Sequence, residues 1–190
     1  MDSINIFNTP LFINLVKNKE FDEEIKKELL IEEKKNKTAF KSNVGGFQTE
    51  NIRNPLIEDV IIKNTFSMLN SRYTSLSPIL IKIANFWINK NYKSNWNKPH
   101  THPQSHYSGV YYLDVPENSG NLTFIRNNDY SLVKPDLKAF DHQDFLDHFN
   151  VIPKKNMMIL FPSNVLHMVS PNMSDLPRIS LAFNIGLFDG

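Results

Sequence analysis

The chain contains no cysteine. Disulfide scaffolds, cysteine-ligated zinc, iron–sulfur clusters and thiol catalysis are therefore excluded. Any metal must be held by His, Asp, Glu, Asn or Gln, a donor set that suits iron or zinc held by imidazole. Net charge is almost absent as well. Lys and Arg number 21 against 20 Asp and Glu, leaving +1. That balance supplies no global field to steer the protein onto nucleic acid or an anionic membrane. Long hydrophobic runs are also lacking. A stretch such as Met157 to Pro162 falls far short of the roughly 20 apolar residues that span a bilayer. The first residues include Asp2 and Pro10 and show no basic stretch followed by an apolar one, so no targeting signal is read. A soluble, cytoplasmic protein is expected, and no repeat or heptad pattern is seen.

What remains is ordinary globular composition, with 41% hydrophobic and 22% charged residues in 190. One domain over 1–190 is expected. Ile4 to Val16 is rich in Ile, Phe and Leu and reads as a strand, confined to an edge or bulge by Pro10. Glu20 to Lys35 places Phe21, Ile25, Leu29 and Leu30 at helical spacing among Glu and Lys, so it reads as an amphipathic helix with a solvated face. Pro55 to Asn70 is a second such helix, with Pro at its start. Between them, SNVGGFQTE (Ser42 to Glu50) marks a turn or a close backbone approach at Gly45-Gly46.

The texture then changes. Strands are expected over Pro78–Ile88, His106–Val115, Asn121–Ile125, the MMILF run within Val151–Phe161, Val165–Ser170 and Arg178–Leu187. Lys90 to Pro99 reads as a polar loop and Arg126 to Asn150 as a polar excursion. A helical flank over about 17–70 thus precedes a mainly β core over about 77–190. Closely spaced short strands of this kind imply a β-sandwich or barrel.

The histidines carry the chemistry. His100 and His102 are two apart, so on an extended segment both imidazoles face one way. Alone, such a pair is equally an ordinary polar loop. His167 follows far downstream on a strand after FPS, and Arg178 and Ser180 alternate onto one face of the last strand. A planar guanidinium beside a hydroxyl is suited to a carboxylate; its plainer role is a strand-end salt bridge. His142 and His148 are assigned to the surface, and His106 to the substrate side or to support of the metal site.

Four blocks in order, SNVGGFQT, HTHPQSHYSGVYYLDVP, ILFPSNVLHMVSPN and RISLAFNI, span about Ser42 to Ile185. In them the chain resembles the 2-oxoglutarate/Fe(II)-dependent oxygenases, in particular a prolyl-hydroxylase-like group recurring in marine bacterial and phage genomes. The resemblance implies a double-stranded β-helix (jelly roll) with an N-terminal strand and two helices. It implies Fe(II) held by His100, His102 and His167. It also implies 2-oxoglutarate held through its distal carboxylate by Arg178 and Ser180, with Tyr112 reaching the same group. Tyr112 can equally be a buried core aromatic. The activity implied is oxidative decarboxylation of 2-oxoglutarate to succinate, with O2 hydroxylating a protein side chain or small molecule. For a phage-encoded protein the compartment would be the host cytoplasm. A homodimer remains open.

The chain departs from that family's pattern in two places. His102 stands where a carboxylate is usual, so three neutral imidazoles would leave the iron's charge uncompensated, except by 2-oxoglutarate itself. A register using Gln104 in place of a third histidine is the alternative, although an amide is a poor iron ligand. Asn156 stands where relatives tend to have Gly before the ILFP strand, a turn Asn tolerates. Two other functions stay open. One is a cupin-type three-histidine enzyme without 2-oxoglutarate, which has no need of the Arg178–Ser180 pair. The other is a degenerate jelly roll serving as a binding module.

Overall fold

A computed structural model describes residues 9–35, 37–74, 77–126 and 147–190. Two helices flank the β core. Helix α1 (Lys19–Lys34) starts at Asn18, whose side chain accepts the Phe21 amide, with Glu20 and Asp22 placed at the positive end of the helix dipole. Helix α2 (Pro55–Asn70) has the bounds expected of it. The Asn54 side chain accepts the amides of Leu56 and Ile57, and Pro55 occupies a position where no N–H is missed.

The strands form two antiparallel sheets. The larger runs β1 (Phe12–Leu15), β9 (Met157–Pro162), β6 (Tyr107–Asp114), β11 (Arg178–Asp189), β4 (Ile79–Asn91), β3 (Phe47–Gln48). The smaller runs β2 (Asn43–Val44), β5 (Trp96–His100), β10 (His167–Val169), β7 (Leu122–Ile125), β8 (His148–Val151). This is the expected mainly β jelly roll with two helices. Strand β1 is an edge strand, as expected, and begins after Pro10; the earlier part of the expected Ile4–Val16 strand, up to residue 8, lies outside the described residues. Among the described residues no helix is long and apolar enough to cross a membrane.

Period-two alternation divides the larger sheet into two faces. Tyr111 and Leu113 of β6, and Leu181, Phe183 and Ile185 of β11, join Phe21, Ile25, Ile57 and Ile61 of the helices in one core. The ring centroids of Phe21 and Tyr111 are 4.8 Å apart. The alternate residues turn the other way. Tyr112, Ile159 and Phe161 pack with Leu122, Phe124 and Val151 of the smaller sheet, closing a second core between the sheets. Leu160 faces the helices, because it alternates with Ile159 and Phe161.

Two expectations are corrected, over Lys90–Pro99 and at the end of the Arg126–Asn150 excursion, whereas the Gly45-Gly46 turn is present. Lys90 to Pro99 is not a loop throughout: β4 continues to Asn91, and Trp96–His100 is strand β5. The Gly45-Gly46 turn has a short strand on each side, and these pair with different sheets, β2 with β5 and β3 with β4. Both glycines have positive φ, 71° and 76°. A Cβ on Gly46 would stand 2.9 Å from the Lys90 carbonyl oxygen. At the end of the Arg126–Asn150 excursion, His148 to Asn150 belong to strand β8, paired with β7. Residues 127–146, His142 among them, lie outside the described residues. The left-handed turn expected at Asn156 is present, with φ 65°.

Candidate metal and carboxylate site

The cavity between the sheets is lined by His100, His102, His167, Arg178, Ser180 and Tyr112, so all six site residues expected from sequence meet there. The smaller sheet supplies the histidines. His100 ends β5 and His167 begins β10, and the two are direct cross-strand partners. Opposite residues of an antiparallel pair point to one face. His102 lies just beyond β5, and its amide donates to the Ser163 carbonyl at 2.9 Å. Ring centroids are 4.3 Å apart for His100–His167, 4.9 Å for His100–His102 and 5.1 Å for His102–His167. One nitrogen from each ring falls within 4.8 Å of the others.

Backbone carbonyls fix two of the rings. His100 Nδ1 meets the Lys98 carbonyl at 2.7 Å, and His167 Nδ1 meets that of Val165 at 2.9 Å. A carbonyl only accepts, so Nδ1 carries the proton and Nε2 keeps a free lone pair, which is the tautomer a ligating imidazole needs. The rings are also held neutral. Burial, with His100 beside it, pushes His167 down to about 3. Burial, together with the nearby His100 and Lys41 charges, pushes His102 down to about 4. Burial lowers His100 as well. Three neutral, inward imidazoles fit a borderline divalent metal such as iron, zinc or nickel. Gln104 sits in an exposed turn at φ 73° and does not line the cavity, so geometry brings His102 to the other two histidines. His106 does not line the cavity either. It is exposed, and its Nδ1 accepts the Leu187 amide at 3.0 Å, tying the end of β11.

The larger sheet supplies the opposite wall. Arg178, Ser180 and Ala182 alternate along β11, and Ser180 lies between Tyr112 on β6 and Asn89 on β4 in the register. Arg178 is 1% exposed. Its Nη1 donates to the Ser119 carbonyl, and its Nε is buried with no partner. Burial lowers its pKa, while Tyr112 opposes that shift. Among the described residues no carboxylate stands beside this guanidinium, and a buried guanidinium so placed is costly on its own and suited to receive one from a ligand. Burial raises the Tyr112 hydroxyl to about 12, so at neutral pH it is a hydrogen-bond donor.

The sequence reading did not single out the neighbouring polar wall. Trp87, Asn89 and Asn91 alternate along β4 into the cavity, and the Oδ1 of Asn89 is buried without a partner. The signal was present in FWINKN as strand alternation, once β4 is seen to continue past Ile88. The rings of Trp87 and His102 are 5.8 Å apart, and Lys41 Nζ lies 5.4 Å over Trp87.

The comparisons with known proteins agree with this architecture. A model of the family described as "Putative 2OG-Fe(II) oxygenase" matches residues 85–184. No curated protein matches the sequence. Among solved structures, a Pseudomonas putida prolyl-4-hydroxylase superposes with TM-score 0.60 at 13% identity, over 92% of this chain and 91% of that one. The viral collagen prolyl hydroxylase of Paramecium bursaria Chlorella virus-1, in a 2-oxoglutarate complex, gives 0.57 at 17% identity, over 93% and 94%. HygX of Streptomyces hygroscopicus, with nickel, 2-oxoglutarate and hygromycin B bound, gives 0.61 at 10% identity, over 94% and 83%. At such identities the likeness is one of fold.

Proposed function

This chain belongs to the 2OG-Fe(II) oxygenase family, and from that premise we propose that it is a dioxygenase that hydroxylates a substrate C–H bond while converting 2-oxoglutarate to succinate. The observation that carries the reading is Arg178: a buried cation with no carboxylate partner among the described residues, across the cavity from three converging imidazoles. A cupin-type enzyme without 2-oxoglutarate has no use for that residue.

His100, His102 and His167 would hold the metal, His100 and His167 through Nε2 because their Nδ1 atoms are engaged by backbone carbonyls. Arg178 and Ser180 take the distal carboxylate of 2-oxoglutarate, and the protonated Tyr112 hydroxyl donates to the same group. Bound together, Fe(II) and 2-oxoglutarate supply the oxidising chemistry, consuming O2, releasing CO2 and succinate, and delivering one oxygen atom to the substrate. Val110, Leu122 and Phe161 keep the cavity wall apolar, which strengthens the polar contacts made inside it. The His100 and His167 rings are fixed in one tautomer before any ligand arrives.

The prolyl hydroxylases of similar fold make a prolyl side chain the first substrate to try, whereas HygX with hygromycin B argues for small molecules too. Fold alone does not choose between them. The test is anaerobic titration with Fe(II), then 2-oxoglutarate, followed by O2 and a succinate assay. A metal-to-ligand charge-transfer band and succinate are expected, both lost in His167→Ala and Arg178→Ala. Iron binding indifferent to 2-oxoglutarate would favour the cupin-type enzyme. Absence of iron binding would favour a binding module.

A further inference from the structure

His102 differs from the other two histidines in what holds it. His100 and His167 stand on strands of the smaller sheet and are cross-strand partners. His102 is anchored to the larger sheet, through Ser163, the residue that follows β9. Ser163 grips the histidine loop at two points. Its carbonyl accepts the His102 amide at 2.9 Å, and its own amide donates to the His106 carbonyl at 3.1 Å. Between those points Gln104 is held at φ 73°, a left-handed conformation that persists only where its surroundings enforce it. Ser163 is in turn fixed by its side chain. Ser108, Asn184 and Asn85 are register neighbours across β6, β11 and β4, one row beyond the cavity-lining Val110 and Ala182. Ser108 Oγ donates to Asn184 Oδ1 at 2.7 Å, and Asn184 Nδ2 donates to Asn85 Oδ1 at 2.8 Å. A hydroxyl carries one proton, so Ser163 is the donor in the 2.8 Å contact between the Ser163 and Ser108 hydroxyls. The chain therefore runs one way, from Ser163 to Asn85, the sense in which successive hydrogen bonds reinforce one another. Ser108, Ser163 and Asn184 are all buried.

We infer that Ser163, Ser108 and Asn184 are positioning residues for the metal centre and act on it through His102. The inference rests on the reading of the three histidines as a metal site, and it names what sets the third ligand. Aliphatic side chains of similar size bury more cheaply than hydroxyls and amides, so a buried polar row is worth what its bonds fix. These bonds fix the Ser163 backbone, and that backbone fixes both ends of the loop from His102 to His106. The Trp87 ring, 5.8 Å from that of His102, walls the imidazole from the β4 side. Ligand distances at a metal tolerate about 0.2 Å. A Ser163 turn released from Ser108 has more play than that, and His102 then leaves the set formed with His100 and His167. Two ligands of the centre thus belong to the smaller sheet, and the third takes its place from the larger.

The experiment titrates the full chain with Co(II) under nitrogen, read by calorimetry and by cobalt absorption. Removing a partner that orients a ligand commonly costs about 10–100-fold in metal affinity, and Ser108→Ala, one step further out, is expected at about tenfold. Asn184→Leu should act in the same direction. Proton spectra of the cobalt-loaded wild type should show three metal-shifted histidine rings, and those of Ser108→Ala two. A double-mutant cycle separates positioning from general loosening of the fold. In a His102→Ala background, Ser108→Ala should change cobalt affinity by at most about twofold, because the residue it acts through is gone. Tyr111→Phe, on the helix side of the same sheet, serves as the control that lowers stability without touching the metal. Equal losses from Ser108→Ala in both backgrounds overturn the inference. So does cobalt binding that His167→Ala abolishes and Ser108→Ala leaves unchanged, an outcome that keeps the metal site standing. Failure of the wild type to bind Co(II) overturns the inference and the metal reading together.

Discussion

Replacing Arg178 with Met tests whether the site is built for a ligand at the expense of the empty fold. Arg178 is 1% exposed, gives Nη1 to the Ser119 carbonyl and leaves Nε unpaired. Stripping water from an unpaired cation costs several kcal/mol even after relaxation, roughly 4 as a working value. One hydrogen bond involving a charged group returns about 1.5–3 kcal/mol. Arg178→Met keeps the length and the packing and removes both contributions. The ligand-free variant is therefore expected to be more stable than the wild type by about 2 kcal/mol. For a domain of this size that is about 4–8 °C in Tm. Affinity for 2-oxoglutarate moves the other way. Losing a charge-assisted contact worth about 1.5–3 kcal/mol weakens binding roughly 10- to 150-fold. Calorimetric melting of the metal-free protein, and 2-oxoglutarate titration of the metal-loaded protein, measure the two effects separately. A metal-free variant that melts several degrees below the wild type would refute the reasoning, since Arg178 would then be a strut for the Ser119 loop. Unchanged 2-oxoglutarate affinity would refute its assignment as the carboxylate partner.

Three further outcomes follow from neighbouring features. Gly120 has φ 88°, and a Cβ there would lie 2.3 Å from the Ser170 carbonyl oxygen and 3.0 Å from Arg178 Nη1. Gly120→Ala should destabilise the fold by about 1–3 kcal/mol in urea unfolding and should also weaken 2-oxoglutarate binding. His167 has a folded-state pKa near 3 against an ordinary 6.5, so between those values the unfolded chain binds more protons than the folded one. Stability of the metal-free protein should therefore be full above pH 6.5 and fall by up to about 1.4 kcal/mol per pH unit below it, a slope that His167→Asn reduces. Denaturation at pH 7.5, 6 and 5 checks this, and identical slopes for both proteins would count against it. The Tyr111 hydroxyl donates to Asp22 and accepts from Asn156 Nδ2 at 2.8 Å on the helix side of the larger sheet. Tyr111→Phe should cost about 1–3 kcal/mol by leaving those groups short of a partner, with cobalt affinity unchanged.

Much of this was legible because period-two and helical patterns survive wherever a face is purely apolar. Helix α2 and strands β6, β9 and β11 were located within a few residues on that basis. The pattern fails where function or an edge replaces apolar residues. Strand β5, WNKPH, carries Asn97 and His100 into the cavity, so its inner face is polar and reads as a loop. Its Pro99 also discourages a strand assignment. Yet β2 pairs only Trp96 and Asn97, so β5 has no neighbour on that side at Pro99 and loses no ladder bond. Strand β8, HFNV, is an edge strand with three exposed residues and gives no alternation. Histidine spacing pointed to the three that converge, because His100 and His102 are close in sequence and His167 directly follows a strong strand signal. Whether Tyr112 belonged to the core or the site was not decidable from spacing. In the structure it packs in the inter-sheet core and lines the cavity.

The division of the site between the sheets also bears on what holds it together. The imidazoles come from the smaller sheet or just beyond its β5 strand, and Arg178, Ser180 and Tyr112 come from the larger one. Each half is tied internally: β11 pairs along its length with β4 and over Ile179–Ile185 with β6, and His100 pairs directly with His167. The distance between the halves is set instead by the inter-sheet core of Phe124, Ile159 and Phe161, and by the Gly45-Gly46 turn, which joins β2 in one sheet to β3 in the other. Phe161 packs edge-on at 4.7 Å against His167 and at 4.9 Å against Phe124, so it is both spacer and wall. A ligand that bridges metal and guanidinium thus ties the two sheets together across the cavity. Its binding should be felt as global stabilisation and not as a local rearrangement.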